Sequence, residues 1–350
     1  MFGLGWLSLL EQKLSPLSID PKRCARVRSD NSSCHACQEV CPTQGISISD
    51  GEIHITDCLV CSLCAAVCPT EALTWKHPSL REIIDLAKEA VQEEGGFILA
   101  CSRSPVLPHS LPVIRLPCLA LLSWEIWVGL MKSFPSLSIY LPPGTCTTCP
   151  TPEGEQIWKE RMNRAEEIMG REVPILLSPP IKERNKKEEK KALDLGRRQF
   201  LTSFFHEIKE TPKEAIKEWM KSPNLLPMIK EETGLHQTLF SKDDRPYGER
   251  RAFLLQILHE DEEVAQKISV QLPMIRETCE PCHACSLLCP TQALEQVETE
   301  EETLVYLTPF RCLACKLCEE VCWDRCISLE DAPGTRFLEG RGILHSYSHR

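Results

Sequence analysis

Cysteine spacing constrains this chain more than any other feature. Cys58, Cys61, Cys64 and Cys68 follow C-x2-C-x2-C-x3-C and run into Pro69. Cys279, Cys282, Cys285 and Cys289 repeat that run into Pro290. Cys312, Cys315, Cys318 and Cys322 keep the spacing, with Trp323 where the proline stood. Cys34, Cys37 and Cys41 form a shortened version ahead of Pro42, with Cys24 further upstream. A looser set, Cys101, Cys118, Cys146 and Cys149, lies between, and no cysteine falls between 150 and 278. The chain therefore contains an internal repeat: one cysteine-rich group near each end and a different one in the middle.

Composition says what these thiols are for. The chain has 21 cysteines in 350 residues, far too long for a small disulfide-stapled scaffold. The apolar start, Met1 to Leu10, lacks a basic n-region and a small-residue cleavage site, so no secretory signal is read there. No run reaches the roughly 18 uninterrupted apolar residues of a membrane span. The nearest, Leu116 to Met131, contains Glu125. The expectation is a soluble cytoplasmic protein, or one held peripherally at the inner face of the membrane. Thiols stay reduced in that compartment, and dense cysteines there hold metal. With 50 acidic and 40 basic residues the formal charge is −10, which gives no support to a nucleic-acid binder.

The terminal groups resemble the bacterial-type ferredoxin with two [4Fe–4S] clusters, over residues 24–75 and 276–330. In that pattern three cysteines of one run hold one cluster, and the fourth reaches across to the other. The resemblance implies one cluster on Cys279, Cys282, Cys285 and Cys322, and another on Cys312, Cys315, Cys318 and Cys289. In the first group it implies Cys58, Cys61, Cys64 and Cys41 for one cluster, and Cys34, Cys37, Cys68 and a fourth ligand for the other. Spacing asks for that ligand at position 31, which is Asn31. Two readings follow: Cys24 loops in, or a three-iron cluster sits on three cysteines and Cys24 is a spare thiol. Zinc is the competing metal, but zinc sites use two separated pairs rather than three cysteines in series. Cys326 stands where the other run has Ala293 and reads as a small buried hydrophobe. His35 and His283, inside cluster loops, read as tuning or screening residues.

The intervening residues agree with such modules. Ile46–Ser49, Asp50-Gly51 and Glu52–Ile55 read as strand, turn and strand. Leu304–Leu307 has strand character after an acidic turn ending at Glu302. Short helices are expected to follow Cys37–Cys41, Cys64–Cys68, Cys285–Cys289 and Cys318–Cys322.

Residues 78–180 alternate helix and strand. Helices are expected at Leu80–Glu94, through Trp124 and Trp127, and at Gly154–Met169. Strands are expected at Phe97–Ala100, Val113–Leu116, Leu137–Leu141 and Val173–Leu177. This is a small α/β domain with a parallel sheet. Its four cysteines follow strand ends, which share one edge of such a sheet. The Phe97-to-Cys101 strand, Ile114-to-Cys118 and the late pair look like the delta subunit of methyl-viologen-reducing hydrogenases. That resemblance implies an iron–sulfur site, commonly [2Fe–2S], at Cys101, Cys118, Cys146 and Cys149. Here the last pair, Cys146-Thr-Thr-Cys149, is tighter than in the family and the Gly-Cys lead-in is missing. Zinc or unliganded thiols are the other readings of these four.

The expected division is an amphipathic N-terminal segment at 1–23, a two-cluster module at 24–77 and the α/β domain at 78–180. A charged helical or mobile linker at 181–270, a second two-cluster module at 271–335 and a tail at 336–350 follow. The fold class is α+β and α/β multidomain. The N-terminal stretch (Phe2, Leu4, Trp6, Leu7, Leu9, Leu10, Leu14) reads as packing on a module or a partner, or lying on a membrane surface. Arg197-Arg198-Gln199-Phe200-Leu201 resembles a twin-arginine motif but sits mid-chain, where a bland amphipathic helix is the simpler reading. No H-E-x-x-H, G-x-G-x-x-G or phosphate-binding loop is present, so no catalytic residue is assigned. The expected function is passing single electrons between donor and acceptor oxidoreductases through four [4Fe–4S] clusters, with one further cluster in the middle domain. The alternative is a redox enzyme subunit with sulfur or disulfide chemistry at the middle cysteines.

Overall fold

In the computed structural model, residues 15–107, 111–179, 248–280 and 282–349 are described. The N-terminal amphipathic stretch to Leu14 and the twin-arginine-like motif lie outside them.

Each terminal group is closed by a sheet that joins its two ends. Strand Leu17–Ile19 pairs antiparallel with Leu73–Trp75, and Ser269–Ile275 pairs antiparallel with Ile327–Pro333. Inside each closure sits a hairpin: Ile46–Ser49 with Glu52–Ile55, and Leu294–Glu298 with Glu302–Leu307. Asp50 and Gly51 both have positive φ, the geometry a two-residue hairpin turn requires. Strand Gly342–Ser348 adds a third member to the second hairpin. The N-terminal group thus begins at Leu17, not at residue 24, and the expected tail is a strand. Both misreadings have one cause: short strands at module ends carry too few residues to show a period, and only their distant partners define them.

The four short helices span Ala36–Glu39, Leu63–Val67, Ala284–Leu288 and Leu317–Glu320. They lie within the cysteine runs rather than after them, each ending before the last cysteine.

The middle domain is a four-stranded parallel sheet in the order Val113–Leu116, Phe97–Cys101, Leu137–Tyr140, Ile175–Leu176. Phe97 to Cys101 is buried throughout, as a central parallel strand must be, and its run is apolar on both faces. Helix Leu80–Glu94 opens on a Ser79–Glu82 capping box and stops at Gly95, φ 76°. The last strand is shorter than expected, two residues at the sheet edge.

The end of the expected linker is ordered. Helix Glu249–Glu260 packs on helix Trp124–Ser133, with the Phe253 ring lodged against Gly129, where a Cβ would collide with it. Leu254, Leu255, Ile257 and Leu258 are buried. Charge balance over the whole segment hid this apolar stretch. No helix among the described residues is long and apolar enough to cross a membrane.

A buried ion pair pins this helix to the N-terminal group. Arg250 Nε lies 3.2 Å from Glu71 Oε1, and its Nη2 donates to the Cys68 carbonyl at 2.6 Å. The Glu249 N–H donates to Glu71 Oε2 at 3.1 Å. Gly248 is required here: any Cβ would run into the Glu71 carboxylate. Arg161 fixes the middle domain to the same point, donating to Ala66 O and Ala120 O at 2.7 Å each. Removing one partner of a buried pair strands the other charge, at a cost of roughly 3–5 kcal/mol. Glu71→Gln is therefore expected to lower the unfolding free energy from chemical denaturation by about that much, and the midpoint with it. An unchanged midpoint would show that the pair is not structural.

Candidate functional site

The cysteines come together in sets of four. Burial, and then the neighbouring thiolates Cys68, Cys24 and Cys34, push the Cys37 thiol up to about 12. Cys34 is raised by burial and by Cys68 and Cys24 in turn. So Cys24, Cys34, Cys37 and Cys68 share one locus. Cys64 is pushed up to about 12 by burial and then Cys61 and Cys58, while Cys61 also feels Cys41. That gathers Cys41, Cys58, Cys61 and Cys64. In the C-terminal group, Cys285 is raised to about 12 by burial, then by Cys279, Cys282 and Cys322. Cys315 is raised to about 12 by burial, then by Cys289 and Cys312, and Cys318 is raised further by burial and the same three thiols. In every set one cysteine arrives from the neighbouring run. Within each group the paired sets adjoin, since Cys64 feels Cys37 and Cys318 feels Cys285.

The loops curl by the same device. Val60 and Ser62, and Ala314 and Lys316, take positive φ inside their C-x2-C-x2-C runs. Such left-handed residues turn successive N–H groups to one side, making a concavity suited to an anionic group. Gln44, Glu71, Gln292 and Arg325 also take positive φ, each three residues after Cys41, Cys68, Cys289 or Cys322. Behind that kink the Ala293 and Cys326 N–H groups donate to Cys289 Sγ and Cys322 Sγ at 3.2 Å each. Cys326 is buried like Ala293, but its thiol also stands beside Cys279, which burial and then Cys326 push up to about 11, and lies 3.5 Å from the Thr278 hydroxyl. The rings of His35 and His283 hydrogen-bond to Gln38 at 3.1 Å and Glu298 at 2.7 Å.

The local setting of Cys24 matches that of Cys312. Pro21-Lys22-Arg23 and Pro309-Phe310-Arg311 each form a single 3-10 turn, and the following cysteine N–H donates to the proline carbonyl at 3.0 Å in both. The shared P-x-R-C was the sequence signal for Cys24, and spacing alone passed over it.

The middle four also converge. Cys118 is pushed up to about 12 by burial, then by Cys101, Cys146 and Cys149. All four line one cleft open to solvent, together with Arg103, Glu155 and Trp158. The cleft reaches Leu59, Val60 and Cys61 of the N-terminal group, so the two sets adjoin. Gly154 permits this: a Cβ there would lie 2.9 Å from Cys118 Sγ. Cys149-Pro150-Thr151 repeats the C-P-T of Cys41, Cys68 and Cys289. In all four the threonine hydroxyl lies 3.3–3.8 Å from the sulfur. A second pocket, partly open to solvent, is walled by Cys289, Cys312, Cys315 and Cys318 with Pro273, Leu294 and Leu329. Among the described residues no three His, Cys, Asp or Glu side chains are placed to hold a single metal ion.

The two terminal groups touch through the segment between Cys24 and Cys34. Arg28 donates to Leu288 O at 2.8 Å and Leu287 O at 2.6 Å, and the Ser33 N–H donates to Glu320 Oε2 at 3.1 Å. Hydrogen bonds from a charged group contribute roughly 1.5–3 kcal/mol. Arg28→Ala is expected to cost about that much in denaturation, and to speed alkylation of Cys34 in the reduced apoprotein. An unchanged alkylation rate would mean the seam does not cover the site. Comparison with known proteins finds no match: no family model, no curated protein and no solved structure aligns with this chain.

Proposed function

We propose that the chain is an electron-transfer protein with four [4Fe–4S] clusters, a subunit or partner of a larger redox assembly. The clusters would be held by Cys41, Cys58, Cys61 and Cys64; by Cys24, Cys34, Cys37 and Cys68; by Cys279, Cys282, Cys285 and Cys322; and by Cys289, Cys312, Cys315 and Cys318. When bound, each supplies one-electron redox chemistry at a potential set by burial, charge and hydrogen bonds to sulfur. The observation that carries this reading is the crossover: in each terminal group the fourth thiol of one run joins the other run's three. A zinc ion would draw four thiolates to within about 2.3 Å of a single point. Three cysteines in series on a curled loop, completed by one from the neighbouring run, suit a multi-iron core better than a single ion.

The chain's own residues do the rest. Apolar side chains such as Leu294, Leu317 and Leu329 wall one pocket, and the Ala293 and Cys326 N–H groups stabilise charge on sulfur. Redox partners with basic surfaces are favoured by the acidic rim Glu298 to Glu302. We assign a further iron–sulfur cluster to Cys101, Cys118, Cys146 and Cys149. One observation favours a second reading of that site. Its cleft opens to solvent beside Arg103, as a site for a small sulfur or disulfide compound would.

Anaerobic purification with iron and sulfide counts, and EPR of the reduced protein, test this. About sixteen irons are expected from four cubanes, and about eighteen to twenty with the middle site filled. Changing the middle four cysteines to serine should remove only the excess. Cys24→Ser should alter one cluster signal and Cys326→Ser none; an unaltered signal in Cys24→Ser removes it from the ligands. Turnover of a small disulfide with reduced viologen, abolished by the four-serine variant, would favour the second reading.

A further inference from the structure

Helix Glu249–Glu260 presents two adjacent arginines to two different cysteine sets. Arg250 is fully engaged by Glu71 and by the carbonyl of Cys68. Arg251, about 100° further round the helix, turns to the C-terminal group. Its guanidinium lies 4.1 Å over the Phe337 ring, and its helix packs on the 3-10 turn Pro309–Arg311 that delivers Cys312. Arg251 is only 7% exposed, and its Nε and Nη1 are buried without a hydrogen-bond partner. A buried guanidinium left so is costly unless an opposite charge stands nearby. Burial and then the like charge of Arg250 work against it, while Glu125, Cys312 and Glu71 favour it. Glu125 is shared: burial pushes its carboxyl up, but Arg250 and Arg251 together hold it below the ordinary range. Arg161, which also faces Arg250 and Glu125, makes three arginines against the two carboxylates Glu71 and Glu125 at this point, and Cys312 is among the groups beside Arg251.

We propose that Arg251 is the built-in counter-ion of the group held by Cys289, Cys312, Cys315 and Cys318, and that its fixed charge raises that site's reduction potential. The inference rests on the reading that these four thiols hold an iron–sulfur cluster. A cubane with four thiolates carries net negative charge, and reduction adds one more. A neighbouring guanidinium favours the more negative state, and Coulomb attraction in a dry interior is poorly screened. The aromatic face of Phe337 holds the planar cation in place without neutralising it. Arg251 is a positioning and tuning residue; no side chain it touches is consumed.

The test is an EPR-monitored redox titration of the full chain as wild type, Arg251→Met and Arg251→Lys. The site's signal is identified beforehand by its loss in Cys315→Ala. Arg251→Met is expected to lower that one midpoint, with reduction about tenfold less favourable, or about 59 mV for a one-electron couple. The other midpoints should stay put, and Arg251→Lys should remain near wild type. Loss of this one cluster from Arg251→Met but not from Arg251→Lys supports the proposal equally, because the two variants differ in charge. An unmoved midpoint in Arg251→Met overturns it. Loss of the cluster from both variants also overturns it, by showing that guanidinium packing matters rather than charge. Wild-type protein without iron and sulfide would instead sink the cluster reading itself.

Discussion

Thiols crowded into a dry pocket raise each other's pKa, and this repulsion governs the architecture. Burial is the first cause at Cys37, Cys64, Cys118, Cys285 and Cys315, and neighbouring thiolates are the next adverse one. Four such groups can ionise together only if cationic charge enters among them or hydrogen-bond donors surround them. The chain supplies donors. Left-handed residues turn N–H groups inward, and the threonine of each C-P-T sets a hydroxyl beside the sulfur. What the donors do not cover would fall to a bound cation or to the proposed clusters.

The same demand explains why arginines are buried in this chain. Arg161, Arg250 and Arg251 lie where the N-terminal group, the middle domain and the C-terminal group meet. Burial drives the Arg161 guanidinium down to about 10, and Arg250 adds to the effect. Arg250 stays firmly charged, because Glu71 and then Glu125 outweigh its burial. A cationic seam between crowded thiols is a coherent use of charges that would otherwise be a stability cost. It also means that docking of the terminal groups and the electrostatic surroundings of their thiols depend on the same contacts.

Much of the cysteine arrangement was legible because its spacing is local. The three-cysteine loops, the Ile46–Ile55 hairpin and helix Leu80–Glu94 are written in contiguous residues. The parallel sheet was legible because its strands are short apolar runs set between helical periods. What could not be read depends on distant partners. Leu17–Ile19 is a strand only because Leu73–Trp75 lies beside it, and Gly342–Ser348 only because Glu302–Leu307 does. Arg250 and Arg251 look like surface charges in a polar segment, and nothing adjacent announces Glu71 or Phe337. Cys149-Pro150-Thr151 was visible, but its likeness to the terminal runs emerges only when the hydroxyl is seen beside the sulfur.

The break in spacing at Cys24 then has a physical account. A cysteine at position 31 would have given the N-terminal group the regular run. Instead the chain reaches its fourth thiol through Pro21-Lys22-Arg23, the same turn that delivers Cys312, and then spends nine residues before Cys34. Those residues carry Arg28 and Ser33, whose hydrogen bonds to Leu287, Leu288 and Glu320 hold the C-terminal group. A regular run has no room for that insertion. The sequence departs from the repeat where one module must grip the other, and the P-x-R-C turn keeps the thiol in its set while the loop is lengthened.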